Sequence, residues 1–300
     1  MLALVKSDWR NQGRKSALTL SDGKTEQSGI RRLREQFGAV EIATITALQL
    51  ERYSNERQDK GAAVSTVRNE LNVLKHGMNL ACEKDLLAKV PPFPTLTPKN
   101  IRTGYFERHE LNAILAELPE RVRPVVLAMY WTGWRKNEVL SRRWENIDLQ
   151  AGTIRLEPGE TKNGEGRTYP FSAAPELQAV IEAQLAYTKA VERRTGQIVP
   201  FVFHREGRPI KSFRTAWRAA SRRSGIARIP HDFRRTAVRN LETSGISRTI
   251  AMKIVGHKTE SIYRRYHIVN DQDMRDAVAK LAAAAQDKQV LPLKRKAAQV

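Results

Sequence analysis

The stretch GHKTESIYRRYHIVN, residues 256 to 270, sets two phenols, Tyr263 and Tyr266, beside two arginines and between two imidazoles, His257 and His267. A phenol becomes a nucleophile when a neighbouring base takes its proton, and an imidazole titrates in the right range to do so. Guanidinium groups suggest the electrophile. They are always charged and bidentate, and without a metal they are the best side-chain donors to the oxygens of a reacting phosphodiester. Residues three apart also share a helix face, so both rings could equally be packing. If one of them reacts, its partners lie elsewhere in the chain.

Cations are abundant where such partners would be sought. Residues 201 to 245 carry eleven Lys and Arg against three acids, Glu206, Asp232 and Glu242, with aromatic and apolar residues interleaved. So many in one window read collectively as a surface that tracks phosphates, and Arg208, Lys211, Arg214, Arg218 and Arg235 are the candidate DNA contacts. A phosphate-cradling GxxxxGK[ST] loop is absent. Six scattered histidines and the single Cys82 disfavour a structural zinc site, while carboxylates distant in sequence leave a Mg²⁺ site open.

The elements that must position these groups are mostly helical. In VSTVRNELNVLKHGMNLAC the residues Val67, Leu71, Leu74, Met78 and Ala81 form one apolar stripe. ITALQLERYSNERQ reads as a shorter helix with Thr46 as its N-cap. A proline-rich seam, VPPFPTLTPKN at 90 to 100, follows as an extended linker. Beyond it, RHELNAILAELP and RVRPVVLAMYWTGW read as helices. GTIRLEP and GRTYPFS alternate as two short strands about the polar turn GETKNGEG. Four helical stretches come next, PELQAVIEAQLAYTKAVERR, SFRTAWRAASRRSG, HDFRRTAVRNLETSG and SRTIAMKIVGH, with Gly225 and Gly245 as C-terminal punctuation. About 25 residues precede the first clear helix near REQFG, so no additional N-terminal module is expected.

The bulk numbers agree with a polyanionic partner. Over 300 residues, 52 Lys and Arg against 32 Asp and Glu give a net charge of +20. There is no run of ~18 apolar residues to span a bilayer and no signal segment, so no membrane partner is expected. One cysteine forms no internal disulfide, which makes the reducing cytoplasm the default.

Taken in order, WTGWRKNEVL, TKNGEGRTYPF, HDFRRTAVRNL and GHKTESIYRRYHIV resemble the catalytic boxes of the tyrosine recombinases, the phage integrase family. The likeness covers residues ~105–275 well and the upstream helices more loosely. In that family the reactive tyrosine lies nine residues after the histidine of its Gly-His pair. Tyr266 stands nine after His257, so the resemblance makes Tyr266 the nucleophile and leaves Tyr263 to packing. Departures are Phe233 for the usual leucine, Arg235 for the commoner histidine, and Val255 before Gly256; each keeps its apolar or cationic character.

The resemblance implies the remaining roles. Arg135 and Arg234 clamp the scissile phosphate, with the helix starting at Arg135 adding its amino end, and Glu138 orients a catalytic arginine. Lys162, in the turn between the strands, protonates the leaving 5′ oxygen. His231 serves as general base or charge-balancing partner, and His257 donates a hydrogen bond to the phosphate. The chemistry is a transesterification through a 3′-phosphotyrosine that needs no ATP, metal or other cofactor.

The implied fold is mainly α with a small antiparallel β-sheet. A helical core-DNA-binding bundle at 1–92 and a linker at 93–104 precede a mixed α+β catalytic domain at 105–286, and a basic flexible tail occupies 287–300. The implied partners are double-stranded DNA recombination sites and three further copies of the chain in a tetramer on DNA, with accessory or directionality factors besides. Met274, Val278 and Leu281, along one side of an alanine-rich terminal helix, would touch a neighbour in the tetramer or, equally, pack on their own chain. Such an enzyme is encoded by a bacterium or phage and works on nucleoid DNA in the cytoplasm. A type IB topoisomerase, a telomere resolvase, or a DNA-binding regulator with an inactive site are the alternative readings.

Overall fold

The structure, a computed structural model, describes residues 2–12, 28–98, 104–160, 164–264, 266, 274–275 and 278–283. The chain divides into two compact units, Met1–Asn100 and Ile101–Val300.

The first unit is built on α4 (Val64–Cys82), against which α1 (Leu2–Asn11), α2 (Ser28–Phe37) and α3 (Ala47–Asp59) pack. All five residues of the predicted stripe, Val67 to Ala81, are buried. The four larger side chains each contribute about 1.5–3 kcal/mol of transfer free energy, which is what fixes this face inward. Thr46 caps α3 as the sequence predicts, its hydroxyl accepting from the Gln49 N–H while the Gln49 side chain returns to the Thr46 N–H. One polar group lies inside the packing. Glu70 is buried and accepts from the Tyr53 hydroxyl at 2.8 Å and from Arg57 at 2.9 and 3.0 Å, so its charge is matched and its lone pairs are used. Helix α1 is an element the sequence reading did not mark. Its Val5 and Trp9 pack with Ile30, Val73 and Leu80 on a second side of α4. Phe93 and Leu96 of the proline-rich seam lie against the main core of this unit.

The second unit holds the strands and most of the helices. Helices α5 (Arg108–Glu117), α6 (Arg123–Thr132) and α7 (Lys136–Leu140) lead into β1 (Ile147–Asp148), β2 (Thr153–Leu156) and β3 (Arg167–Pro170). The strands form an antiparallel sheet in that order, with Ile154 opposite Ile147 on one side and Tyr169 on the other, and Leu156 opposite Arg167. Then come α8 (Pro175–Thr195), a minimal hairpin of β4 (His204–Arg205) and β5 (Arg208–Pro209), α9 (Arg214–Ser224), α10 (Phe233–Thr243), α11 (Arg248–Val255) and α12 (Glu260–Arg264). The core runs from Phe106 and Leu111 through Val125, Met129 and Trp134 to Phe233, whose ring stacks on Phe106 at 4.2 Å. Helix α6 packs between α8 and α10, and α11 lies on both α10 and β3. These contacts bring the turn after α6, the sheet, and the N-terminal end of α10 to one place.

Candidate active site

The turn after α6 is tied down before it presents any charge. Trp134 is buried, its backbone N–H donates to Thr132 Oγ1, and its indole N–H donates to the Ile254 carbonyl at 3.2 Å. Arg135 follows as the N-cap of α7, donating through its backbone N–H to Glu138 Oε2 at 2.9 Å and through Nη1 to Glu138 Oε1 at 2.8 Å. The sequence suggested that the amino end of a longer helix would reinforce anion binding here. With five residues, α7 aligns too few peptide dipoles for that, and the guanidinium must do the work itself.

Glu138 is buried and serves two arginines, because Arg167 from β3 also pairs with its Oε2. Burial pushes the Glu138 carboxyl up, but Arg167 and Arg135 outweigh it and hold it below the usual carboxylate range.

Arg234, in the first turn of α10, is almost completely buried and reaches three acceptors. Its Nε donates to His257 Nε2 at 2.8 Å, Nη1 to the Gly133 carbonyl at 2.9 Å, and Nη2 to the Gly256 carbonyl at 3.1 Å. Desolvation, then Arg135 and Arg167, push its pKa down, the mark of a cation placed where negative charge is short. His257 must hold its lone pair on Nε2 to accept from Arg234, so its proton sits on Nδ1, which is buried with no hydrogen-bond partner among the described residues. Burial and the neighbouring guanidiniums of Arg234 and Arg135 push its pKa down to about 3. The imidazole is neutral, and one N–H remains to be satisfied.

The two tyrosines part company here. Tyr263 is fully buried with Ala237, Val238, Ala251 and Val255, and burial pushes its phenol up, away from reactivity. Tyr266 sits at the site: His231 Nε2 lies 3.0 Å from its hydroxyl, the His257 ring 4.6 Å from its ring, and the guanidiniums of Arg234 and Arg235 at 5.6 and 5.3 Å. His231 is partly exposed. Partial desolvation and the cations Arg234 and Arg235 lower its pKa, so at neutral pH its ring is uncharged and its Nε2 can accept the phenolic proton.

Arg235 is not on the exposed basic face to which the sequence assigned it. It is buried, and its Nη1 donates to Asp232 Oδ1 at 3.1 Å. Arg214 and Arg218, one turn apart on α9, do reach the site: with Arg135, Lys136 and His231 they rim a cleft of about 900 Å³ floored by Met129, Phe213 and Trp217. Arg208 and Lys211 are exposed but do not line it. Lys162 lies outside the described residues. Strand β2 is anchored by Arg142, fully buried, which donates to the carbonyls of Glu138 and Arg155 and to the carboxylate of Glu160. Sequence reading singled out neither Arg142 nor Arg167, since an arginine in a short amphipathic stretch looks like a solvated one. Among the described residues no group of three or more His, Cys, Asp or Glu stands close enough to hold a metal ion, and no helix is long and apolar enough to cross a membrane.

The second unit thus gathers guanidiniums and imidazoles around one phenol beside a three-stranded sheet, and comparison with known proteins shows which family carries this arrangement. The sequence pattern described as the Phage integrase family matches residues 105–273, so the chain belongs to that family. It is 28% identical over 217 residues to the integrase of Salmonella phage P22, covering 69% of this chain and 54% of that one. The chain thus spans about half the length of that relative. It is 25% identical over 247 residues to the tyrosine recombinase XerA of Pyrococcus furiosus, 78% of this chain and 80% of that one. Among solved structures, the Tn1549 transposon integrase in complex with circular intermediate DNA superposes with a TM-score of 0.68 at 16% identity, covering 92% of this chain and 98% of that one.

Proposed function

We propose that the protein is a site-specific DNA recombinase that cuts and rejoins strands through a 3′-phosphotyrosine. The observation that carries this reading is the 3.0 Å approach of neutral His231 to the Tyr266 hydroxyl, within reach of Arg234 and Arg235. In the cleavage step the Tyr266 oxygen forms a bond to phosphorus and its proton passes to His231 Nε2. The bond from phosphorus to the 5′ oxygen breaks, and Lys162, at the position that corresponds in the family, gives that oxygen a proton. Arg135 and Arg234 hold the non-bridging oxygens and stabilise the charge that grows on them. The Nδ1–H of His257, without a partner among the described residues, is a further donor to the same anion. The diester is conserved throughout, so the 5′ hydroxyl of another strand reverses the step without ATP.

Double-stranded recombination sites are the substrate, gripped by the helical bundle of residues 1–92 and the catalytic unit of 105–286, with 93–104 joining them. Exchange between two duplexes needs four such sites and hence a tetramer on DNA. Met274, Val278 and Leu281, exposed in the described part of the C-terminal segment, are suited to contact a neighbouring copy. The reaction belongs in the cytoplasm, on bacterial or phage DNA, and directionality factors would act on top of it.

The test is covalent capture. Incubated in EDTA with a nicked suicide duplex, the wild-type protein is expected to form a protein–DNA adduct. Tyr266→Phe is expected to form none while binding the duplex unchanged, and Tyr263→Phe to keep forming it. An adduct from Tyr266→Phe, or cutting that demands a divalent ion, would overturn the proposal.

A further inference from the structure

Arg167 has no role in the chemistry just described, yet it touches Trp134, Glu138 and the turn at Gly256, which hold Arg135 and His257 in place. It opens β3 opposite Leu156, its side chain is nine-tenths buried, and its guanidinium lies over the Trp134 ring at 5.2 Å. Its Nη2 pairs with Glu138 Oε2, the oxygen that also accepts the Arg135 backbone N–H. On its other side the chain turns at Gly256, packed so closely that a Cβ there would stand 1.9 Å from Arg167 Nη1. One side chain therefore joins the strand, the Trp134–Arg135 turn, the first turn of α7 and the turn that presents His257.

The electrostatics explain why the carboxylate needs a second arginine. Glu138 is buried, and a buried carboxylate draws in whatever cation lies within reach. With Arg135 as its sole partner, it would bind that guanidinium through both ends and hold it away from the cleft. Sharing the charge with Arg167 leaves Arg135 fixed by one Nη and its backbone N–H, so the rest of its donor fork is free for the phosphate.

We propose that Arg167 is a positioning residue for strand cleavage: it holds Glu138, and through it Arg135, in the geometry that meets the scissile phosphate, and it supports the Gly256–His257 turn from beneath. The inference rests on the recombinase reading above, and the experiment separates the two. Single-turnover adduct formation would be measured at saturating protein for wild type, Arg167→Gln, Arg167→Lys, Glu138→Gln and the Arg167→Gln/Glu138→Gln pair. Each would be run on an ordinary suicide duplex and on one with a methylphosphonate at the scissile position, where one non-bridging oxygen and its charge are replaced by methyl.

On the ordinary duplex Arg167→Gln is expected to lose about 100-fold in rate, the scale of one lost electrostatic stabiliser, with DNA affinity unchanged. Arg167→Lys, which restores the charge without the planar fork, should recover part of that loss. On the methylphosphonate the Arg167→Gln defect, relative to wild type on the same substrate, should shrink to under about 10-fold, because less charge then depends on Arg135. The double variant should be no slower than the slower single one. Wild-type rates from Arg167→Gln, or an equal loss on both substrates with no rescue by lysine, would overturn the inference and leave the recombinase intact. No adduct from the wild type would instead remove the reading on which it stands.

Discussion

Replacing Gly256 with alanine separates backbone strain from packing, because the same unit contains a matched control. Gly245 and Gly256 both follow helices in the left-handed region, with φ of +76° and +73°. Nothing lies within 4 Å of a Cβ built at Gly245, whereas one at Gly256 would meet Arg167 Nη1 at 1.9 Å and Cζ at 2.5 Å. Forcing an L-residue into this conformation costs about 1–2 kcal/mol at either site. At Gly256 the guanidinium must also move by more than an ångström. It is held between Trp134 and Glu138, so moving it loosens a buried ion pair whose complete loss costs about 3–5 kcal/mol. Gly245→Ala should therefore cost ~1–2 kcal/mol and Gly256→Ala ~4 kcal/mol or more. In a unit near 200 residues that is roughly 2–8 °C of Tm against about 8–16 °C or more, read by calorimetry on the full chain. The Gly256 carbonyl also accepts from Arg234, so Gly256→Ala should slow adduct formation at least about 100-fold while Gly245→Ala leaves it unchanged. Equal melting points, or normal cleavage by Gly256→Ala, would refute the claim that the turn bearing His257 rests on Arg167.

In NMR titrations of the DNA-free protein, His257 should titrate near about 3 and His231 below its usual 6.5, and Arg235→Gln should raise the His231 value because a nearby cation has been removed. The folded state takes up the His257 proton later than the unfolded chain does, so the catalytic unit should lose stability as pH falls from about 6.5 towards 3; a His257 that titrates at its normal value refutes this. In the first unit, Glu70→Gln leaves Arg57 without its countercharge and should cost about 3 kcal/mol or more, seen as a lower urea midpoint for that unit alone; an unchanged midpoint would show the Tyr53–Glu70–Arg57 cluster to be incidental.

What the sequence made legible was periodic or ordered. The Val67–Ala81 stripe, the Thr46 cap and the two alternating strands follow from local rules, and all are present. The convergence of Arg135, Arg234, His257 and Tyr266 was legible for another reason: four motifs stand in a known order, since periodicity alone cannot fold residues 131 apart onto one point. Arg167 and Arg235 show the limit. Charge density marks a basic region but does not say which cation turns inward. That is decided by pairing with a buried acid, at Glu138 twenty-nine residues before Arg167 and at Asp232 three before Arg235. The brevity of α7 was equally hidden, because RKNEVLSRRW has helical composition beyond the point where Arg142 turns inward to grip the sheet.

On the proposed chemistry, the shortage of negative charge at this centre bears on the safety of a cut strand. Among the described residues, Arg135 and Arg167 pair with Glu138 and Arg235 with Asp232, while Arg234 donates to an imidazole and two carbonyls. An anion that enters relieves their mutual repulsion, and on the proposed chemistry that relief persists after the strand is severed. The phosphorus keeps both non-bridging oxygens whether it is joined to sugar or to the protein. The grip cannot distinguish an intact strand from an interrupted one, so a broken end has no electrostatic reason to wander before it is resealed.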